Sequence, residues 1–192
     1  MKLSKRGEYA LRTLIALGIA AEVGRSLTQV SEIAAKQQIP IKFLEQIMHS
    51  LKEAGFVESQ RGKFGGYRLA RPAAKISVGA VIRVLEGPLA PIGCVSQTAY
   101  EKCSCPDEEH CGLRMLMLDV RNAIAGILDR YTLADVVEVT LRKLRRDHLP
   151  LPFTASAHVG RAPRAAGRVR PAHPRLDPIE GLLSHLVPDY NI

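Results

Sequence analysis

Gln37-Gln38-Ile39-Pro40-Ile41-Lys42-Phe43-Leu44-Glu45-Gln46-Ile47-Met48-His49-Ser50-Leu51-Lys52-Glu53-Ala54-Gly55 is the stretch that decides the fold. Leu44, Ile47, Met48 and Leu51 recur at i, i+3, i+4 and i+7, the apolar stripe of an amphipathic helix. Pro40 suits the first turn of that helix, and Gly55 suits the C′ position that ends it. Just upstream, Thr28 starts a shorter helix with Val30, Ile33 and Ala34 inward, and residues 37–40 make the tight turn between the two. Two helices joined in this way form a helix-turn-helix. The second helix would enter the major groove through Ile41, Lys42, Glu45 and Gln46. Gln46 can pair with an adenine edge and Glu45 can accept from cytosine N4.

Outward from this unit, residues 56–61 alternate as a strand, residues 61–67 make a hairpin tip and residues 67–70 return. Gly62, Gly65 and Gly66 permit positive φ and close approach to a phosphate, while Arg61, Lys63 and Arg68 supply charge. A two-stranded ribbon in this place is a wing, with Tyr67 at the start of its return strand. Before the helix-turn-helix, Ser4 caps a helix that turns Tyr9, Thr13, Leu14 and Leu17 to one face. It breaks at residues 23–26.

After the wing, Ser77 caps a short helix carrying Val78, Val81, Ile82 and Leu85, stopped by Gly87-Pro88. A long helix runs from Gly112 to about Asp129 with Leu113, Leu116, Met117, Val120, Ile124, Ile127 and Leu128 at 3-4 spacing. That spacing suits packing against a twin helix, and helix-turn-helix readers bind paired half-sites as dimers. Thr132 caps a last helix. The expected fold is mainly α with a small β-hairpin: a winged helix-turn-helix over residues 1–75, then a cysteine loop and dimerisation helices over residues 76–147. Residues 150–192 hold 7 of the 12 prolines and no periodicity, so residues 148–192 read as a disordered basic extension.

The net charge is +8, and its distribution is informative. Residues 1–75 carry 13 Lys/Arg against 6 Asp/Glu; residues 76–149 carry 9 against 10. Positive charge gathered on one lobe is the footprint of a nucleic-acid binder. No run reaches the roughly 18 apolar residues of a membrane span, and Arg12 interrupts the first apolar run, which argues against a secretory signal. The expected location is the cytoplasm, where thiols stay reduced. His49, His110 and His148 are scattered and no catalytic spacing is recognisable, so an enzyme or a cluster carrier is disfavoured.

All four cysteines lie within residues 94–111, at Cys94, Cys103, Cys105 and Cys111. Zinc sites favour repeated Cys-x2-4-Cys pairs, and this loop has none. Iron–sulfur clusters accept looser spacings and some non-cysteine ligands. His110, beside Cys111, is a further ligand candidate. A thiol–disulfide switch or a zinc site without a cluster remains the alternative.

Met1-Lys2-Leu3-Ser4, Gly7-Glu8-Tyr9-Ala10, Phe43-Leu44-Glu45-Gln46, Arg61-Gly62, Gly65-Gly66-Tyr67 and the late cysteine group together resemble the Rrf2 family of winged-helix regulators that includes IscR, NsrR and RirA. The resemblance spans about residues 1–147. It implies a homodimeric transcription factor, usually a repressor, that binds a pseudo-palindromic DNA operator and senses iron–sulfur status, nitric oxide or redox state. It also implies that Phe43, with Lys42, Glu45, Gln46 and the wing residues, belongs to the DNA-binding surface. Family members hold a [2Fe-2S] or [4Fe-4S] cluster on three loop cysteines and a variable fourth ligand. Cys94, Cys105 and Cys111 match the three. Cys103 departs from the pattern and competes for the fourth place with Glu8, which sits where some members carry a carboxylate ligand reaching the partner subunit's cluster.

Overall fold

The computed structural model describes residues 3–154. The element order is α1 (Lys5–Glu22), α2 (Val30–Gln37), α3 (Ile41–Glu53), β1 (Val57–Gln60), β2 (Gly66–Leu69), α4 (Val78–Glu86), α5 (Gly112–Arg130) and α6 (Leu133–Arg146). The expected caps form as their chemistry dictates. Ser4 Oγ accepts from Gly7 N at 3.1 Å and Ser77 Oγ from Ala80 N at 3.1 Å. Thr132 and Asp135 make a reciprocal capping box, satisfying two backbone donors at the start of α6. Gly55 follows α3 with φ +71, the left-handed turn expected of a C′ glycine.

α1 is the central post. It packs against α2, α3, α4, α6 and β2. Ala10, Leu14 and Leu17 are buried on it, as are Leu44, Ile47, Met48 and Leu51 on α3. The same core takes in Val81 of α4 and Leu133, Val137 and Leu141 of α6. Truncating one of the α3 quartet to alanine would cost about 2–5 kcal/mol. Gly18 admits this packing, because a Cβ there would lie 2.6 Å from a Val137 methyl.

Three local expectations need correcting. Thr28 does not open α2; Gln29 is the N-cap, and Thr28 instead pairs with Tyr67 through hydrogen bonds of 3.0 and 2.9 Å. Extended pairing with β2 holds its backbone out of the helical region. Pro40 lies one residue before the first helical position of α3, as its N-cap. Among the wing glycines, Gly62 alone has positive φ, at +117. Gly65 and Gly66 are needed for space: a Cβ would meet Gln60 O at 2.2 Å and Thr28 O at 2.7 Å.

α5 stands apart from the core. None of its 19 residues is buried, and it rests on α4 and on the short 3-10 turn Gly93–Val95. Arg83 pins it to α4 through two hydrogen bonds to Asp129, at 2.5 and 2.7 Å. Gly79 makes room for that pair, since a Cβ would come 2.1 Å from Asp129 Oδ1. Beyond α6 the chain turns back, and Phe153, expected in the extension, is buried in the core with Lys36 over its ring at 4.9 Å. The remainder of that extension, residues 155–192, lies outside the described residues. No helix among those described is long and apolar enough to cross a membrane.

Candidate nucleic-acid interface and cysteine loop

The apolar stripe of α3 faces the core, so the opposite face must be exposed. Lys42, Glu45, Gln46 and His49 lie on it. Lys42 is loosely paired with Glu45 at 3.8 Å, and its side chain is 92% exposed, which leaves the ammonium available. Phe43 behaves differently from its neighbours. It is half-buried, edge-on to Tyr9 with ring centroids 5.8 Å apart, so it props α3 against α1.

The wing is antiparallel, with Val57 opposite Leu69 and Gln60 opposite Gly66. Arg61, Gly62, Lys63 and Phe64 are exposed at its tip. Gly65 is half-buried, and its N–H donates to Gly62 O at 2.9 Å, closing the turn. Arg68, expected to add charge at the tip, is held by Glu58 on the facing strand. Tyr67 is half-buried and its backbone joins the wing to Thr28. A second tie runs from α3, where Lys52 Nζ donates to Ser59 Oγ at 2.9 Å. α3 and the wing are therefore fixed to one frame.

Two contacts at the start of α1 leave almost no trace in the sequence. Arg6 donates to Ser50 Oγ on α3 at 2.7 Å, across 44 positions. Glu86, at the end of α4, accepts from Ser4 Oγ at 2.6 Å and from Ser4 N at 3.3 Å, across 82 positions. A Cβ at Gly7 would lie 2.0 Å from that carboxylate. The glycine in the Gly7-Glu8-Tyr9 motif is the only hint of this contact.

The cysteine loop hangs between Glu86 and α5. Cys94 is buried in the turn Gly93–Val95, Cys103 and Cys105 are half-buried, and Cys111 is the N-cap of α5. All four are free thiols lining one cavity of about 330 Å³, with Glu101, Lys102 and Arg114 also on its wall. Cys103 neighbours Cys94 and Cys105, and Cys105 neighbours Cys111. Burial, then the nearby Cys103 and Glu108, raise the Cys94 thiol above its ordinary range. The hydrogen bond with Cys103, burial and the contact with Cys111 push Cys105 up to about 12. The thiols run as a chain around the cavity; among the described residues no three His, Cys, Asp or Glu side chains form a ready metal-binding group.

The loop is braced by polar contacts. Glu101 N donates to Gly93 O at 3.2 Å, and Tyr100 donates to Glu108, which also faces Arg114 at 3.2 Å. His110 turns Nδ1 to Asp107 at 2.6 Å and is otherwise exposed. Glu8 pairs with Lys5 at 2.7 Å and with Arg12 at 3.3 Å. The Lys5 hydrogen bond and charge, then Arg12, hold its carboxyl below the usual range. Four unpaired thiols around one cavity fit the donor chemistry of an iron–sulfur cluster, which takes deprotonated sulfur and so displaces their protons.

The chain is similar to known transcriptional regulators in sequence and fold. The family described as "Rrf2: Iron-dependent Transcriptional regulator" matches residues 3–139. The HTH-type transcriptional regulator NsrR of Geobacillus kaustophilus is 36% identical over 149 residues, covering 77% of this chain and 98% of that protein. The structure of CymR, the global cysteine regulator of B. subtilis, superposes with a TM-score of 0.59 at 32% identity, covering 72% of this chain and 98% of the other. T. potens IscR superposes with a TM-score of 0.57 at 30% identity, covering 73% and 88%.

Proposed function

The chain belongs to the Rrf2 family of transcriptional regulators, and from that premise we propose that it is a cytoplasmic, homodimeric repressor that senses through a cluster on its cysteine loop. It is a DNA-binding regulator rather than an enzyme. In this reading α3 reads a pseudo-palindromic operator through Lys42, Glu45 and Gln46. Arg61, Gly62, Lys63, Gly65 and Gly66 bring the wing backbone and its charge to the phosphates, and Phe43 and Tyr67 hold the two readers in place. The carrying observation is the gathering of four free thiols around one cavity at the amino end of α5.

Cys94, Cys105 and Cys111 would hold the cluster, [2Fe-2S] or [4Fe-4S], with Cys103 as fourth ligand. Glu8 of the partner subunit is the competing fourth ligand, and Lys5 and Arg12 keep the Glu8 carboxylate ionised for that role. When bound, the cluster supplies a group that iron loss, nitric oxide or oxidation can alter. Cluster and operator then change each other's affinity by the same factor, because both bind one protein. The loop joins α4 to α5, so ordering it sets the frame that separates the two α3 helices of a dimer.

Homodimerisation is supported by α5. Leu113, Leu116, Val120 and Ile127 are exposed at heptad spacing, the seam of a two-helix contact. The alternative, a cluster-free thiol–disulfide or zinc-dependent regulator, is favoured by the thiol chain, since Cys103 already neighbours two possible disulfide partners.

The deciding experiment is anaerobic purification followed by visible spectroscopy with iron, sulfide and zinc assays on the same sample. Brown protein with near-equal iron and sulfide supports the cluster, and alanine changes at Glu8 and at each cysteine then identify the ligands. Colourless protein that stays metal-free after reconstitution refutes the cluster and leaves the thiol switch.

A further inference from the structure

We propose that Arg6 of α1 is a phosphate clamp that seats the recognition helix on one strand of the DNA backbone, resting on the reading of α3 as that helix. Arg6 stands in the first turn of α1, a turn held by the Ser4 cap and by Glu86. Its guanidinium crosses to α3 and donates to Ser50 Oγ at 2.7 Å. Ser50 Oγ in turn donates to the Gln46 carbonyl at 3.3 Å, so the serine's lone pair is directed at the arginine. The hydroxyl is an orienting group that leaves the positive charge uncompensated.

That choice of partner carries the inference. Seven of the twelve other described arginines are paired with carboxylates, while Arg61, Arg71, Arg121, Arg130 and Arg145 share Arg6's lack of one; what sets Arg6 apart from these five is its hydrogen bond to α3. Arg6 has no carboxylate within ion-pair distance among the described residues, although it is exposed. A guanidinium has five N–H donors in a planar fork, and Ser50 engages one nitrogen, which leaves donors for two phosphate oxygens. With Lys42, Glu45, Gln46, His49 and Ser50 it lines an open groove of about 580 Å³ along the outer face of α3, where the Glu45 carboxylate faces Lys42 at 3.8 Å. A helix lying in the major groove has sugar–phosphate backbone along its flanks, and contacts there fix its register without reading sequence. Arg6 sits on such a flank, fastened to the helix it would position.

The test uses the full chain and a duplex selected by the wild-type protein from a randomised library, with an unrelated duplex beside it. Binding is measured by fluorescence anisotropy between 50 and 200 mM salt. Removing one phosphate contact should flatten the slope of log K against log salt by about 0.9. Arg6→Ala is expected to flatten it by about that much per half-site, a change of about 3.5-fold in relative affinity across the salt range for each contact. Both duplexes should be affected alike. Arg6→Lys should keep the slope, and Ser50→Ala should weaken binding with the slope retained, because it removes orientation and leaves the charge. An Arg6→Ala slope equal to wild type in a protein with an unchanged melting temperature overturns the clamp. A changed base preference in a repeated selection overturns it too, since Arg6 would then be reading bases. Failure of the wild-type protein to select any duplex is a separate outcome, visible before any variant is made, and it overturns the DNA reading itself.

Discussion

Gly66→Ala tests why the wing carries Gly65-Gly66-Tyr67. A Cβ at residue 66 would fall 2.7 Å from Thr28 O and 2.8 Å from Thr28 C, and both are backbone atoms that no rotamer change can move. The chain must part at the Thr28–Tyr67 bridge, where two backbone hydrogen bonds of 3.0 and 2.9 Å are made. Each contributes about 0.5–1.5 kcal/mol net, so the destabilisation is about 2 kcal/mol. For a fold of this size that lowers the melting temperature by about 4–8 °C. The bridge also fixes the wing relative to the start of the helix-turn-helix, so operator affinity should fall as well. Thermal melts by circular dichroism and anisotropy titrations on the same preparation measure both effects. Gly24→Ala is the comparison: its φ is +80 but nothing lies within 4 Å, so strain alone should act and DNA binding should survive. A Gly66→Ala protein that melts within about 1 °C of wild type and binds equally well would refute the steric argument.

Four further outcomes are expected. Glu45→Ala should relax base preference in a randomised-site selection while leaving binding intact; an unchanged preference removes Glu45 from the reading face. Arg61→Ala and Lys63→Ala should weaken binding to all duplexes alike, and selective weakening at one operator would contradict a phosphate role. Leu116→Glu on α5 should shift sedimentation from dimer to monomer, because it puts a charge on the open seam; an unchanged sedimentation coefficient at micromolar concentration counts against that seam. Arg83 holds Asp129 below the usual carboxylate range, so the pair stabilises the fold at neutral pH and ceases to do so as acidification carries Asp129 through its depressed folded value. Asp129→Asn should therefore lower the melting temperature at pH 7 and lower it progressively less as the pH falls below the usual carboxylate range, and a shift that stays constant with pH would show that the charge is irrelevant.

How much could be read from the chain depended on whether a contact leaves a periodic trace. The α3 quartet did, because four apolar residues at 3-4 spacing have one face to bury, and all four are buried. Ser4, Ser77 and Thr132 were legible as caps because a hydroxyl before an apolar run has one well-known use. Thr28 has the same chemistry, yet its backbone was claimed by Tyr67, and an isolated bridge has no period to betray it. Gly65 and Gly66 announced a constraint without revealing that it was space rather than dihedral freedom. Phe153 lies in a proline-rich stretch that composition alone assigns to solvent, and its burial depends on a surface made by distant residues. In the cysteine loop, spacing singled out the four cysteines. The order in which they meet around the cavity comes from the braces at Gly93, Glu101 and Glu108, which no ligand motif encodes.

The open seam of α5 has a consequence for how the protein behaves at different abundances. A helix with no fully buried residue, resting mainly on α4 and the short turn Gly93–Val95 among the described elements, draws little of its stability from its own chain. Whatever covers Leu113, Leu116, Val120 and Ile127 therefore also holds the helix together. If the cover is a second copy, the stability of the unit that carries the cysteines rises with the logarithm of protein concentration. Dilution then does two things in one step: it parts the copies and loosens the helix capped by Cys111, so the dose of the regulator becomes an input to the state of its own cysteine loop.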